Sequence, residues 1–399
     1  MSTPRQASTW PAIEWEAQTW LPSTAWAASP GLDAYGATYR SAVPARIAEL
    51  TPDPSTEATS AADVASRELS RLDAELGERV ASFAPILLRS EAAPSWQIEN
   101  ITASARAIFS AELGAKTSRN AELVTANTRA MTAAIDLADS LTPDAIARMH
   151  EVLMAEQPRH TPGRWRDEAV WISTRSDSPV GAEFVAPHHT RIEALIEDVT
   201  AFARRSDVAP LLSAAIAHAQ FETIHPFSDG NGRTGRALAQ AMLRHRGVTR
   251  NVAVPVSAGL LADVEGYHRA LTAYRAGDVS PIVTAFADAA LRAVANTRTL
   301  VAELDQIRAS WDTRLTVRRS SNAWKLLDVL LRRPVLSSAA AAAELGVQQP
   351  NVYPPLTALV DAGILKSKAE HQLGPFWRSD EVLAALDQFA RRAGRREAS

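Results

Sequence analysis

Two apolar stretches flank a short polar segment in the middle of the chain, and they predict two helices joined by a loop. Residues 211–224 are rich in Ala, Leu and Ile, and Pro226 is expected to end this helix because proline lacks a backbone donor. Residues 234–246 show a second apolar periodicity that stops at Gly247, a residue suited to a helix C-terminus. His225 is therefore predicted at the exit of the first helix, facing the loop.

Other patterns predict a small hairpin, a long helix and a separate C-terminal module. Residues 170–172 and 183–187 are β-like runs separated by a polar segment, which is typical of a hairpin. A helical pattern runs from 280 to 319. From 320 to 390 the expected order is helix, short strand, Ala-rich helix, further helix and a β wing that begins at Gly363, which resembles a winged helix. The fold class expected is all-α with an inserted β-hairpin.

Composition and charge narrow the class of protein. The chain has 399 residues, a net charge of −3 and no cysteine. This length allows about two or three domains, and the charge predicts no strong attraction to nucleic acid or anionic membranes. Disulfides are excluded, and no apolar run reaches the roughly 20 residues that span a bilayer. The N-terminus lacks the apolar core of a secretion signal, so we expect a cytoplasmic protein, and the Arg- and Ala-rich composition favours a bacterial source.

The loop between the two central helices carries the chemistry of a phosphate site. Residues 225–236 include an imidazole, a carboxylate, a glycine-rich turn and two guanidinium groups. The turn at 230–232 presents backbone N–H groups at a helix start, where the helix dipole favours an anion. Arg233 and Arg236 share a face just inside this helix. A Gly-x-Gly turn by itself is usually an ordinary loop, but these groups together predict phosphate binding.

At these residues the chain resembles the Fic family. The family signature begins His-Pro-Phe-x-(Asp/Glu)-Gly-Asn-(Gly/Lys)-Arg and ends on a second arginine, and residues 225–236 match its fixed positions. The resemblance implies a helical core that transfers a nucleoside monophosphate, most often AMP from ATP, to a protein hydroxyl. Gly232 stands where the phosphorylating branch of the family has lysine, which favours nucleotidyl transfer.

The resemblance implies a role for each residue of the loop. His225 would be the general base, and an imidazole suits this role because its ordinary pKa of about 6.5 lies near working pH. Asp229 would hold Mg²⁺, which prefers oxygen ligands. Arg236 would reach the γ-phosphate of the co-substrate ATP. The residues expected to hold the nucleotide phosphates are Gly230, Asn231, Gly232, Arg233 and Arg236.

A second segment is similar to the inhibitory motif of the family, (Ser/Thr)-x-x-x-Glu-(Gly/Asn). Ser95 suits a helix N-cap, and Glu99 follows one turn later. The resemblance implies that Glu99 pairs with Arg236 and fills the space of the γ-phosphate, because a carboxylate and a phosphate cannot share one guanidinium. A Ser-x-x-x-Glu spacing by itself also occurs by chance, or as an ordinary pair of side chains one turn apart on a helix.

Three further assignments concern the surroundings of the loop. The hairpin resembles the flap with which the family docks the backbone of its target by strand addition. His188 and His189 are adjacent on a predicted loop and lack metal-ligand spacing, so we expect them to face solvent. Tyr267 lies either near the adenine or in the core.

The expected organisation and function follow from these features. The predicted segments are a Trp-rich arm (1–30), an N-terminal helical module with the inhibitory motif (31–120), the Fic catalytic core (121–295), a linking helix (296–319) and a winged-helix-like domain (320–390). The function expected is a protein adenylyltransferase inhibited by Glu99, with a homodimer as an open expectation. The alternatives are removal of AMP at the same site, or a nucleotide-sensing transcriptional regulator.

DNA binding by the C-terminal module is not favoured over protein docking or dimerisation. The candidate recognition helix contains Pro354 and Pro355, which remove two donors and disfavour a regular turn. Basic residues are confined to the wing, at Lys366 and Lys368, with Arg378 beyond it.

Overall fold

Helices dominate the computed structural model, in agreement with the fold class expected from the sequence. The structure describes residues 10–20, 37–77, 87, 104–115, 118–122, 125, 128, 132, 136, 140–155, 161–172, 178–251, 253–370 and 374–393. The chain forms two compact units: the first comprises 1–66, 133–246 and 265–287, and the second comprises 67–132, 247–264 and 288–399. Both units combine separated stretches of chain. The division into five consecutive segments that we expect from the sequence stays a prediction.

A bundle of helices forms the body of the first unit. Its helices are α3 (Pro143–Met154), α4 (Ile192–Ala203), α5 (Pro210–Ile224), α6 (Asn231–His245) and α8 (Val264–Arg275). Helix α5 packs between α4 and α6, and every residue from 211 to 224 is buried. A helix that is apolar on all its faces belongs in the centre of a bundle, which explains why residues 211–224 show no polar stripe.

Helices α5 and α6 approach each other more closely than side chains would allow. A Cβ atom on Gly235 would lie 2.9 Å from Oε1 of Glu222 and 3.0 Å from Cδ1 of Phe221. The helix predicted from 211 is confirmed as Pro210–Ile224, whereas the second begins at Asn231, three residues before the predicted start. The earlier start follows from Gly230, whose left-handed backbone places it as the N-cap.

Two β-hairpins accompany the bundle in the first unit. Strands β1 (Glu14–Trp20) and β2 (Ala37–Val43) pair antiparallel, with Glu14 opposite Val43 and Trp20 opposite Ala37. The predicted flap is present as β3 (Trp171–Ile172) and β4 (Phe184–Val185). Trp15 and Trp20 lie against Phe184 and Trp171, with ring centroids 6.1 and 5.6 Å apart. The segment predicted as a Trp-rich arm (1–30) thus contains a strand beside the flap.

Among the described residues, eight further α-helices with defined bounds lie in the second unit or extend across the boundary between the two units. They are α1 (Thr56–Leu76), α2 (Ala105–Glu112), α7 (Val256–Leu260), α9 (Ser280–Arg314), α10 (Asn322–Arg332), α11 (Ser338–Leu345), α12 (Tyr353–Asp361) and α13 (Asp380–Ala393). The long helix expected to reach residue 319 ends at Arg314. The chain turns there to reach Ser321, whose hydroxyl accepts a hydrogen bond from the Ala323 N–H and caps α10. No helix in the described ranges is long and apolar enough to span a membrane.

The C-terminal part contains a three-stranded antiparallel sheet. Its strands are β5 (Val335–Ser337), β6 (Lys366–Glu370) and β7 (Gly374–Arg378), in the order β5-β7-β6. This order of elements supports the winged-helix assignment, which stays a proposal. Pro354 and Pro355 lie in the first turn of α12, where missing N–H groups cost nothing, so the expectation that they disfavour a regular turn was wrong.

We expect Gly235→Ala to lower the free energy of unfolding by about 1 kcal/mol or more, because the added methyl group meets fully buried side chains and this outweighs the gain in helix propensity. Gly235→Val should lower the free energy of unfolding further, since valine adds more volume at the same contact. Urea unfolding of both variants against the wild type measures the change. Equal stability of all three proteins would contradict the close packing of α5 and α6.

Candidate active site

His225 ends helix α5 in a conformation that is costly for a residue with a side chain. Its backbone has φ 50° and ψ 61°, in the left-handed region, and its N–H donates to the Phe221 carbonyl at 2.9 Å. No other non-glycine residue in the described part of the chain has a positive φ. Such strain persists only where the surroundings hold it, and it is frequent at functional sites. The predicted position of His225 at a helix exit is confirmed.

The side chain of Asn231 closes the loop between α5 and α6. Its Oδ1 accepts a hydrogen bond from the Phe227 N–H at 2.9 Å, and its Nδ2 donates to the Phe227 carbonyl at 2.8 Å. The amide is therefore engaged with the loop rather than directed at a nucleotide. The phosphate-binding role implied for Asn231 stays a prediction.

The start of helix α6 has a backbone geometry that suits an anion. Gly230 is the N-cap with φ 76°, and without a side chain it offers no oxygen to cap the first turn. The first helical hydrogen bond runs from the Thr234 N–H to the Gly230 carbonyl at 3.0 Å. The N–H groups of residues 231–233 precede this bond, at the positive end of the helix dipole. Main-chain donors in this position suit phosphate oxygens.

Charged side chains flank this helix start. Asp229 is 43% exposed, and its Oδ1 accepts hydrogen bonds from the Gly230 N–H at 2.7 Å and from Nη2 of Arg233 at 3.4 Å. Arg233 and Arg236 are both buried, at the first turn of α6 and one turn further along it. The site thus combines one carboxylate with two cations.

The donor set fits a Mg²⁺ ion that is bound together with a nucleotide. The described residues contain no group of three metal-ligating side chains. Mg²⁺ usually takes one or two protein carboxylates and completes its octahedron with phosphate oxygens and water. A single half-exposed carboxylate at Asp229, beside the phosphate donors of α6, meets this requirement.

The surroundings of His225 keep its imidazole neutral. Burial, which has the largest effect, and the nearby Arg166 guanidinium together lower the pKa of His225 to about 4, although a hydrogen bond with the main chain of Glu222 acts to raise it. The side chain is still 29% exposed, so a substrate can reach it. A neutral imidazole with an accessible edge can accept a proton.

His150 supports the loop through two hydrogen bonds and a ring stack. The sequence did not predict this role. Its Nδ1 accepts the Gly163 N–H at 3.0 Å, so its Nε2 carries the proton and donates to the Asp229 carbonyl at 3.0 Å. The ring stacks on Phe227 with centroids 3.6 Å apart and planes 3° from parallel. The signal in the sequence was a lone histidine on the apolar face of α3.

Several predicted residues lie away from this loop or outside the described residues. Tyr267 is buried, and its hydroxyl lies 2.7 Å from Nε2 of His218, which favours the core position over the adenine pocket. The rings of His188 and His189 are tilted by 36° with centroids 4.2 Å apart, and both residues are half-buried instead of fully facing solvent as expected. Ser95 and Glu99 lie outside the described residues.

The flap is held close to the bundle and keeps one strand exposed. The Ala186 N–H donates to the Val170 carbonyl at 2.9 Å, which extends the pairing of β3 and β4. The Arg275 guanidinium lies 3.7 Å over the ring of Phe184. Ile172 of β3 is 52% exposed.

Comparisons with known proteins agree with the loop and the fold. Residues 140–243 match the description "Fic/DOC family". Protein adenylyltransferase fic-1 of Caenorhabditis elegans is 29% identical over 145 residues, which are 36% of this chain and 26% of that protein. A probable protein adenylyltransferase of Aquifex aeolicus is 39% identical over 69 residues, which are 17% of this chain and 22% of that protein. The chain thus spans about a quarter of the length of these curated relatives.

A solved structure shares the fold over most of the chain. It is a Fic family protein from Desulfovibrio desulfuricans, with a TM-score of 0.51 and 23% sequence identity. The likeness covers 83% of this chain and 97% of that chain. It supports the helical architecture.

We expect His150→Phe to raise amide hydrogen exchange across residues 227–231 about tenfold, because the variant keeps the stack on Phe227 but loses both hydrogen bonds that hold the loop. Hydrogen-exchange mass spectrometry measures the rate. His245→Phe, at an exposed position near the end of α6, is the matched control and should exchange in this loop as the wild type does. Unchanged exchange in the folded His150 variant would show that the loop does not need this support.

Proposed function

The chain carries a Fic/DOC family domain in residues 140–243, and from this premise we propose that it is a protein adenylyltransferase. It would transfer AMP from ATP to a Ser, Thr or Tyr hydroxyl of a target protein, itself included. The observation that carries the proposal is the loop that joins α5 and α6. It places the neutral, accessible imidazole of His225 beside the uncapped start of α6 and two buried arginines.

His225 would act as the general base. Its neutral ring accepts the proton of the target hydroxyl while the hydroxyl oxygen attacks the α-phosphorus of ATP. The bond from this phosphorus to the bridging oxygen breaks, and pyrophosphate leaves with the electron pair. The left-handed backbone of His225 ends the helix at this residue, where the loop begins.

The start of α6 would hold the charge on the phosphates. Main-chain N–H groups of residues 231–233 would bind phosphate oxygens, and Arg233 and Arg236 are buried in the first two turns of the same helix. Asp229 would hold Mg²⁺, which neutralises phosphate charge when bound. Asn231 contributes by keeping the loop closed.

The flap would dock the target by adding one of its strands to β3. Support comes from the exposure of Ile172 and from the sheet of β3 and β4, which has two strands among the described residues, so that β3 lies at an edge. The target backbone would then run beside the loop, with the acceptor hydroxyl near His225.

Glu99 would inhibit the enzyme by pairing with Arg236. The position of Arg236 in the first turns of α6 supports this part of the proposal, because a carboxylate bound there excludes the γ-phosphate. Release would require a partner or a change in oligomeric state.

The C-terminal module would dock a protein or a second copy of the chain. Two basic residues of its sheet are paired with one carboxylate: Nζ of Lys366 lies 2.8 Å, and Nε of Arg378 2.7 Å, from the oxygens of Asp380. Cations engaged in this way contribute less to phosphate contacts along DNA. This observation favours a protein partner over an operator.

We expect α-labelled ATP with Mg²⁺ to label protein weakly in the wild type, strongly in Glu99→Gly and not at all in His225→Ala. Loss of the carboxylate opens the γ-phosphate position, whereas loss of the imidazole removes the base, at a cost of about 10²- to 10⁴-fold. Gel autoradiography of each protein, alone and in bacterial lysate, measures the transfer.

Equal labelling of the wild type and Glu99→Gly would contradict the inhibitory role. Absence of label from all three proteins, with ATP binding intact, would favour a nucleotide sensor, and gel retardation with promoter DNA at physiological salt would then test the regulator. Label lost from a premodified target would favour AMP removal.

We expect the acid limb of kcat/KM for Glu99→Gly to have its midpoint below pH 6.5, toward pH 4. The base works as the neutral imidazole, and neutral imidazole is lost as pH falls through the pKa of His225, which burial lowers to about 4. Rates measured from pH 4 to pH 8 check this, with circular dichroism to confirm folding at each pH. A midpoint at or above pH 6.5 would contradict the neutral site described for His225.

A further inference from the structure

The guanidinium of Arg166 binds the end of the helix that carries His225. Its Nε donates to the His225 carbonyl at 2.8 Å, and its Nη2 donates to the Ile224 carbonyl at 3.3 Å. The main-chain N–H of Arg166 donates to the Pro226 carbonyl at 2.9 Å. Carbonyls at a helix C-terminus lack helical partners and carry the negative end of the dipole, so a buried cation satisfies both needs.

The same guanidinium binds both arms of the flap. Its Nη1 donates to the Glu168 carbonyl at 2.7 Å, on the arm that leads into β3. Its Nη2 donates to the Pro187 carbonyl at 2.7 Å, on the arm that leaves β4. One planar group therefore fixes the spacing of the two arms and their distance from the helix end.

The chemistry of this contact requires arginine. The Arg166 side chain is buried, with 5% of the residue exposed, and burial lowers its pKa to about 10, so it stays charged at neutral pH. A guanidinium has N–H donors on three nitrogens in one plane and can bind carbonyls from several directions. A lysine at this position would keep the charge but could not span the helix end and both arms.

We propose that Arg166 is a positioning residue that couples the flap to the general base. The coupling rests on the proposed function, in which the target docks at the flap and His225 takes its proton. A target strand that orders the two arms of the flap also orders the Arg166 guanidinium, and the guanidinium in turn holds the carbonyl of His225. The base is then held in place when a target is present to use it.

The experiment compares the full-length wild type with Arg166→Met, Arg166→Lys and the control Arg191→Met. Methionine fills a similar volume but has no N–H donors. Lysine keeps the positive charge but lacks the planar set of N–H donors of the guanidinium. Arg191 follows the flap but pairs with Glu16, at 2.6 Å, instead of reaching the helix end. Amide hydrogen exchange is read at 168–172, at 184–187 and at 225–227, together with ATP affinity and the transfer rate in a Glu99→Gly background.

We expect both Arg166 variants to exchange about tenfold faster in the flap and at 225–227 together, because both segments lose hydrogen bonds to one charged donor. The transfer rate should fall about 10²-fold through misplacement of the base, while ATP affinity changes little. In Arg166→Met the pKa of His225, followed by its ring NMR signal, should rise, because a nearby positive charge is lost. Arg191→Met should leave exchange at 225–227 and the rate unchanged.

Faster exchange in the flap alone, with residues 225–227 unchanged, would overturn the proposal. Arg166 would then stabilise the flap without positioning His225. A parallel loss of ATP affinity would also overturn it, because the phosphate loop itself would then have collapsed. If Arg166→Met does not fold, Arg166→Lys decides between these outcomes. Exchange and titration need no transfer activity, so failure of the enzyme assay contradicts the proposed function without deciding the role of Arg166.

Discussion

The arrangement of the site depends on the contact between α5 and α6 at Gly235. A Cβ atom there would meet Glu222, Phe221 and His218, so the two helices pack backbone against side chain over this stretch. Residues 225–230 join the two helices and reverse the chain through two left-handed positions, His225 and Gly230. The imidazole of His225 and the start of α6 therefore lie at the two ends of one short loop.

Two arginines, one buried and one half-buried, hold the surroundings of this loop in place. Arg166 binds main-chain carbonyls, and Arg275 lies over the ring of Phe184 in the flap. Both keep the flap near the bundle, and both contribute to the low pKa of His225. The charges that shape the site electrostatically are therefore also the ones that hold its parts together.

The sequence predicted the parts of the site that are local in the chain. Helix α5, the loop at 225–230 and the flap follow from periodicity, glycine positions and alternation, and the structure places them as expected. The role of His150 depends on the distant partners Gly163 and Asp229, which no local pattern encodes. The N-terminal hairpin was missed because its strands are stabilised by aromatic contacts with the flap, far along the chain.

The side chain of Asn231 has a consequence for the length of this loop. Its amide pairs with both the N–H and the carbonyl of one residue, Phe227, in the manner of a base pair. An inserted or deleted residue between 227 and 231 would break both bonds and shift the start of α6. A change in the length of this segment would therefore displace the first turn of α6, whereas a substitution that keeps the length would leave both hydrogen bonds in place.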